Sequence, residues 1–147
     1  MKSAQTPGLR ILWWFSPMSK RILVAGDILA IAIVTFVGFV THGEAELSVL
    51  PRMAAAFLPL LAGWFLLAPP LGLFRDETIH SASQLWRPAW AGLFAGPLAA
   101  VLRGFLLNAP VIPIFAAVLA AVTALGMVIW RAVFLLLSRR TAEASRG

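Results

Sequence analysis

The chain has 147 residues, of which 61% are hydrophobic and only 12% are charged, and its formal net charge is +6. About a quarter of the residues in an ordinary soluble domain are charged, so this composition excludes a typical soluble globular protein. The chain contains no cysteine, which excludes disulfides, iron–sulfur ligation and thiol chemistry.

Four long apolar runs follow one another along the chain, at 22–40, 53–74, 88–107 and 109–137. Each has roughly the twenty residues that a helix needs to cross a hydrocarbon core about 30 Å thick. None has the polar face that a soluble helix of such length would need. The sequence therefore predicts an all-α, polytopic membrane protein, a four-transmembrane-helix bundle with the lipid bilayer as its solvent.

The runs divide the chain into three parts. We expect a cytoplasmic leader at 1–19, a four-helix transmembrane domain at 20–137 and a cytoplasmic polar tail at 138–147, disordered from Thr141 onward. The first run is too long for a signal peptide, and no small-residue cleavage site follows it. Within the leader, LRILWWF is either a short amphipathic anchor in the headgroup region or the aromatic flank of the first helix. In the second run, Pro69-Pro70 should end the helix one turn early.

Basic residues indicate the orientation of the spans. Lysine and arginine cluster before the first run, between the second and third, and after the fourth, whereas the outer connections carry only Arg52. Short loops rich in these residues stay in the cytoplasm. We therefore expect both termini and the inner loop at 75–87 to lie on the cytoplasmic side of the cell (inner) membrane, and we expect no nucleic-acid partner. Five of the six tryptophans lie near the same surface, and only Trp64 is mid-span.

Small residues indicate where helices can approach closely. On the third span they recur at every fourth position and form a ridge over which another backbone can pack: Gly92, Gly96, Ala100 and Gly104. The first span offers Gly26 and Gly38, and the fourth span has a weaker alanine pattern. We predict a central third span, with its ridge used for packing within the chain or for a homodimer contact.

Two ionisable side chains, Asp27 and Arg103, interrupt the apolar runs, and Arg131 lies near the inner end of the fourth span. A central aspartate costs roughly 2.5–3.5 kcal/mol of insertion free energy, which a dozen strongly apolar residues at about 0.3–0.6 kcal/mol each offset. Depth along the helices, at about 1.5 Å per residue, pairs Asp27 with Arg131, unless Arg131 extends to the inner surface instead. Arg103 lies near the outer third of its span and is expected to meet a polar residue of the first outer loop: His42, Glu44 or Glu46.

Asp27, Thr35 and His42 fall within one stripe of the first helix at about 100° per residue. This pattern has two interpretations. Either it is a polar track for protons, ions or a small anionic ligand, with Arg103 as the anion contact, or the charges form two buried ion pairs that fix helix register. We favour the second, because a static pair needs only two groups whereas a pathway needs a cavity. No phosphate-binding loop, nucleophile elbow or paired-histidine motif is present, so we expect no enzyme activity, metal or cofactor.

Several of these residues also resemble a known family. Gly26-Asp27, Gly38, His42-Gly43, Gly63-Trp64 and an arginine late in the third span are similar to the small prokaryotic integral membrane family catalogued as domain of unknown function 3054, over about 20–137. The resemblance implies several spans without a soluble domain, and it implies no activity, substrate or cofactor. We expect an accessory, scaffolding or assembly component that acts with a second copy or another membrane protein. The alternative is a small proton-, ion- or anion-coupled transporter or channel, dimeric, using Asp27, His42 and Arg103.

Overall fold

A computed structural model describes residues 9–43 and 46–144. All regular structure in this part of the chain is helical: α1 (Leu9–Thr41), α2 (Leu50–Leu67), α3 (Asp76–Ile79), α4 (Trp86–Leu107) and α5 (Pro113–Ala144), with short 3-10 turns at Leu47–Val49 and Ala82–Gln84. Four helices, α1, α2, α4 and α5, are long and apolar enough to cross a membrane. The predicted all-α bundle of four membrane-spanning helices is confirmed.

Both terminal helices extend beyond the predicted spans. Helix α1 is continuous from Leu9, so the LRILWWF segment belongs to the same helix as the first span. Helix α5 runs to Ala144. The predicted disorder from Thr141 onward is therefore wrong for residues 141–144. The Thr141 hydroxyl bonds to the carbonyl of Ser138 at 3.0 Å, one turn back along the helix, and alanine and glutamate after it are good helix formers. Residues 1–8 of the predicted leader and 145–147 of the tail lie outside the described residues.

The second span ends early, as Pro69-Pro70 predicts. Helix α2 stops at Leu67, because proline lacks the N–H that would continue the ladder. The chain then turns through Gly72, whose φ of 70° is a left-handed conformation that suits a residue without a Cβ. This turn brings Leu73 into the core, where it has no exposed surface.

The four long helices form a ring in which each packs against two neighbours. Helix α4 packs against α2 and α5, and α1 closes the ring between the other faces of α2 and α5. The packing of α4 is the most extensive, but α1 is not among the helices with which it makes substantial contact. Helix α4 is therefore one wall of the ring and not its centre. Ile31, Leu60, Trp64 and Met127 fill the interior and are fully buried. Large apolar side chains cover the outer faces, as expected for helices surrounded by lipid.

The predicted glycine ridge on α4 lies directly against α5. A Cβ at Gly96 would stand 2.4 Å from the Cα of Ala120, and one at Gly92 would stand 2.6 Å from the Cα of Ala124. Ala100 and Gly104 continue the buried row. The backbones therefore touch along two helical turns, as the ridge predicts for packing within the chain.

The two glycines of the first span behave differently. A Cβ at Gly26 would overlap the ring of Trp130, whereas nothing lies within 4 Å of the corresponding point at Gly38. The packing role predicted for Gly38 is therefore wrong for contacts within the described part of the chain. The close contact in the outer half of α1 uses a small residue on the other helix, because Gly126 of α5 accommodates Val34.

Candidate functional site

The predicted pair of Asp27 and Arg131 is present in the interior of the bundle. Nη2 of Arg131 lies 2.6 Å from Oδ2 of Asp27, and the two residues expose 6% and 0% of their surface, respectively. They come from α1 and α5, which are adjacent in the ring. Arg131 therefore turns toward the protein and does not extend to the surface, so the pairing expected from depth alone is confirmed.

Two indole rings complete the coordination of the carboxylate. Nε1 of Trp130 donates to Oδ1 of Asp27 at 2.9 Å, and Nε1 of Trp64 donates to Oδ2 at 3.2 Å. The ring of Trp130 occupies the space that a side chain at position 26 would fill, which explains why glycine precedes the aspartate. Three charge-stabilising donors thus meet one carboxylate that has no contact with solvent.

Arg131 connects this carboxylate to the loop after α2. Its Nη1 donates to the carbonyl oxygen of Leu73 at 3.0 Å, and its guanidinium carbon lies 5.5 Å from the ring centroid of Phe74. The cluster of Asp27, Trp64, Trp130, Arg131 and the Leu73 carbonyl, called here the aspartate cluster, therefore joins α1, α2, α5 and one loop. Its arrangement fixes the relative positions of three spans near the end of the bundle that carries the loop at 75–87.

The predicted polar stripe on α1 does not continue as a track. The hydroxyl of Thr35 donates to the carbonyl of Ile31 in its own helix at 2.9 Å. Ile31 and Met127 are fully buried and lie between the level of Asp27 and that of Thr35. His42 is exposed at the outer end of the helix. Of the five residues predicted to form one site, the described structure thus joins only Asp27 and Arg131.

Arg103 has a different environment from the one expected. Its guanidinium lies over the ring of Phe115, 5.1 Å from the centroid, and no carboxylate between 46 and 144 lies within ion-pair range. Glu46 instead accepts a hydrogen bond from Ser48 at 3.3 Å, while Glu44 lies outside the described residues. The expected contact with His42 or Glu46 is wrong because Arg103 lies on the side of α4 that faces α5, whereas those residues follow α1.

Neither of two cavities found in the bundle joins Asp27 to Arg103. The space beside Arg131 measures about 10 Å³, which is the size of a single water site at most. A larger hollow of about 370 Å³ lies at the turn between α4 and α5, lined by Val101, Gly104, Phe105 and 108–111, and does not reach the aspartate cluster. Among the described residues, no three histidine or acidic side chains are close enough together to hold a metal ion.

No sequence motif directly predicts that the two tryptophans and the Leu73 carbonyl are partners of Asp27 and Arg131. The second apolar run continues to Phe74 and so predicts a mid-span position for Trp64, but α2 ends at Leu67 and places this tryptophan within one turn of its C-terminal end. Two signals were nevertheless available: Gly26 stands beside the buried aspartate, and Trp130 directly precedes its partner. A buried carboxylate needs more than one donor, and an indole N–H is a donor compatible with lipid depth.

Comparison with known proteins gives one family and no functional relative. A family described as "Protein of unknown function (DUF3054)" matches residues 24–134, a segment that contains the whole aspartate cluster and all four spans in large part. No curated protein and no solved structure matches the chain. Because the match covers well over half of the sequence, this chain with its four membrane-spanning helices belongs to the DUF3054 family.

Proposed function

We propose that this protein is an accessory, scaffolding or assembly component of the cell membrane, and that the aspartate cluster holds its spans in one arrangement. The observation that carries this proposal is the complete enclosure of Asp27, whose two oxygens are used by three donors from the chain itself. Its partner is either a second copy of this chain or another integral membrane protein. The mass of the complex in mild detergent distinguishes these two possibilities.

The enclosure argues for a structural role because transport chemistry needs access. A carboxylate that carries protons or contacts a substrate must meet water or the ligand in at least one state. Here the carboxylate is fully buried, and apolar residues separate it from Thr35. A buried ion pair is also well suited to fixing one helix register, since any other register leaves both charges unpaired in a low-dielectric interior.

The alternative, a small dimeric proton-, ion- or anion-coupled transporter or channel, has one specific observation in its favour. The Thr123 hydroxyl is buried and has no hydrogen-bond partner among the described residues, and it lies two turns outward from Arg131 on the same face of α5. A path from Asp27 would pass this hydroxyl. It would have to open the layer of Ile31 and Met127, and it would not include Arg103 or His42 as first expected.

Flux measurements in liposomes with the Asp27→Asn variant test the proposal. We expect the wild-type protein to give no proton flux above empty vesicles under a pH gradient. The variant should melt at a lower temperature, because asparagine cannot neutralise Arg131. Asp76→Asn is the matched control, since Asp76 pairs with Lys20 in an exposed bridge whose loss changes stability little. Wild-type flux that disappears in a well-folded Asp27→Asn variant would overturn the accessory role.

We also propose the orientation that the basic residues indicate, with both termini and the loop at 75–87 in the cytoplasm. The chain has no cysteine of its own, so single cysteines can be placed cleanly. Ser48 and Ser83 are both exposed and lie at opposite ends of the bundle. In intact cells, a membrane-impermeant maleimide should label Ser48→Cys and leave Ser83→Cys unlabelled until the cells are broken. The reverse labelling would invert the topology.

A further inference from the structure

Two arginines meet above the glycine turn that follows α2. A methyl group at Gly72 would lie 3.1 Å from Nη1 of Arg87 and 3.4 Å from Nε of Arg75. Both guanidinium groups therefore border one point at the inner end of the bundle, here called the arginine pair. Two cations this close repel each other unless an anion lies between them.

Arg87 is held in place by the chain. Its Nε donates to Oε1 of Gln84 at 2.7 Å, its Nη1 donates to the carbonyl of Leu71 at 2.7 Å, and its guanidinium lies 5.1 Å from the centroid of the Trp86 ring. Nη2 has no partner among the described residues. The group is thus fixed in position while part of its hydrogen-bonding capacity remains unused.

Arg75 is exposed, and its side chain forms no hydrogen bond or ion pair with any described residue. The neighbouring carboxylates do not neutralise the pair. Asp76 is bridged to Lys20 at 3.1 Å, and Glu77 is within ion-pair range of neither arginine. The arginine pair therefore presents two uncompensated positive charges with free N–H donors, which is the arrangement that binds a phosphate group through charge-assisted hydrogen bonds.

The position of the pair identifies the source of that phosphate. The pair lies between the last turn of α2 and the first turn of α4, where two spans leave the apolar region. Trp86 and Trp90 lie on the adjoining surface and are 51% and 49% exposed. Half-exposed tryptophans at span ends lie at the level of lipid headgroups. In a bilayer, the phosphate groups of the surrounding lipids would therefore lie at the level of the two guanidinium groups.

We propose that Arg75 and Arg87 form a binding site for the headgroup phosphate of an anionic phospholipid. Basic pockets between spans recognise such headgroups, and each arginine near the surface contributes about a fivefold gain in affinity. The site goes beyond the accessory role proposed above and does not depend on it. It also gives the lack of a side chain at Gly72 a second role, because a side chain at this position would project between the two guanidinium groups.

Melting of the full chain in mixed micelles tests the site. We expect phosphatidylglycerol to raise the melting temperature of the wild-type protein more than phosphatidylcholine does. Arg75→Gln should weaken the apparent affinity for phosphatidylglycerol by about fivefold and leave the melting temperature in phosphatidylcholine unchanged, because Arg75 has no partner within the described chain. Arg75→Lys keeps the positive charge but lacks the planar guanidinium group. Its apparent affinity for phosphatidylglycerol should fall between those of the wild type and Arg75→Gln.

Arg21→Gln is the matched control, since Arg21 is exposed near the start of the membrane-spanning part of α1 and is not part of the arginine pair. If Arg21→Gln and Arg75→Gln reduce the effect of phosphatidylglycerol equally, the lipid responds only to overall surface charge and the site is refuted. Inorganic phosphate is the second arm. If millimolar phosphate in phosphatidylcholine micelles reproduces the stabilisation, the site binds a free anion and the lipid assignment is wrong.

Discussion

Replacing Arg131 with methionine should destabilise the protein by about 3–5 kcal/mol, and adding Asp27→Leu to the same molecule should restore most of that loss. The single substitution leaves a carboxylate buried with only the indole donors of Trp64 and Trp130. The double substitution removes both charges and fills their space with apolar atoms, a replacement that is often neutral or stabilising in protein interiors. The measurement is reversible unfolding in mixed micelles, run as a double-mutant cycle.

The loss of stability in Arg131→Met comes from the unpaired charge on Asp27 and not from the lost hydrogen bonds. Hydrogen bonds between spans contribute only about 0.6 kcal/mol on average, because the unfolded chain in a membrane also finds partners. The loss of its hydrogen bonds alone would therefore make Arg131→Met only modestly destabilising. A charge left without a counter-charge inside the bundle has no such substitute, since α1 would have to tilt or shift to expose Asp27.

Arg103→Met is the matched control for this experiment. Arg103 also lies within a span, but it contacts the ring of Phe115 and pairs with no described carboxylate. A cation over an aromatic ring contributes about 0.5–2 kcal/mol, and methionine inserts more favourably than arginine. Its net effect should be far smaller than that of Arg131→Met. If Arg103→Met and Arg131→Met reduce the free energy of unfolding equally, the aspartate cluster does not hold the bundle as described. The same conclusion follows if the double variant is as unstable as Arg131→Met alone.

The fold and the central ion pair were predictable because lipid constrains a sequence strongly. A span must be long, apolar and helical, so the four runs could be read directly. An aspartate such as Asp27 must turn inward at a depth set by helical rise, and only Arg131 matched that depth. Position along the helix axis was therefore sufficient to predict both the four spans and the pairing of Asp27 with Arg131.

Lateral position was not predictable in the same way. The contact expected between Arg103 and the first outer loop required α4 to lie beside α1, whereas the ring places α2 and α5 between them. The packing role expected for Gly38 failed for the same reason, because a small residue predicts close approach only where a neighbour exists. Which helices are adjacent depends on the whole set of packed surfaces, and no single stripe specifies it.

One short loop, at 71–73, links the aspartate cluster to the arginine pair. The carbonyl of Leu71 accepts from Arg87 and that of Leu73 accepts from Arg131, on either side of the left-handed Gly72. Arg87 belongs to the proposed lipid site and Arg131 to the aspartate cluster, so lipid binding at the first would reinforce the loop that the second anchors. The loop after α2 thus connects the aspartate cluster directly to the proposed lipid site.

Gly96→Ala should destabilise the protein by about 1–3 kcal/mol, although it adds a single methyl group. That methyl would stand 2.4 Å from the Cα of Ala120, and its obstacle is backbone, which cannot rotate away. Helices α4 and α5 would have to separate along the whole ridge, since Gly92 contacts Ala124 in the same row. The change in unfolding free energy in mixed micelles measures this effect.

Gly38→Ala is the control that separates packing from helix propensity. Nothing lies within 4 Å of the added methyl at that position, and alanine favours a helix interior over glycine by up to about 1 kcal/mol. This variant should therefore be neutral or slightly more stable than the wild type. Two identical substitutions in spans of the same bundle should thus change stability in opposite directions. Equal losses at both positions would mean that α4 and α5 do not meet at the glycine ridge, and the ring order of the spans would have to be redrawn.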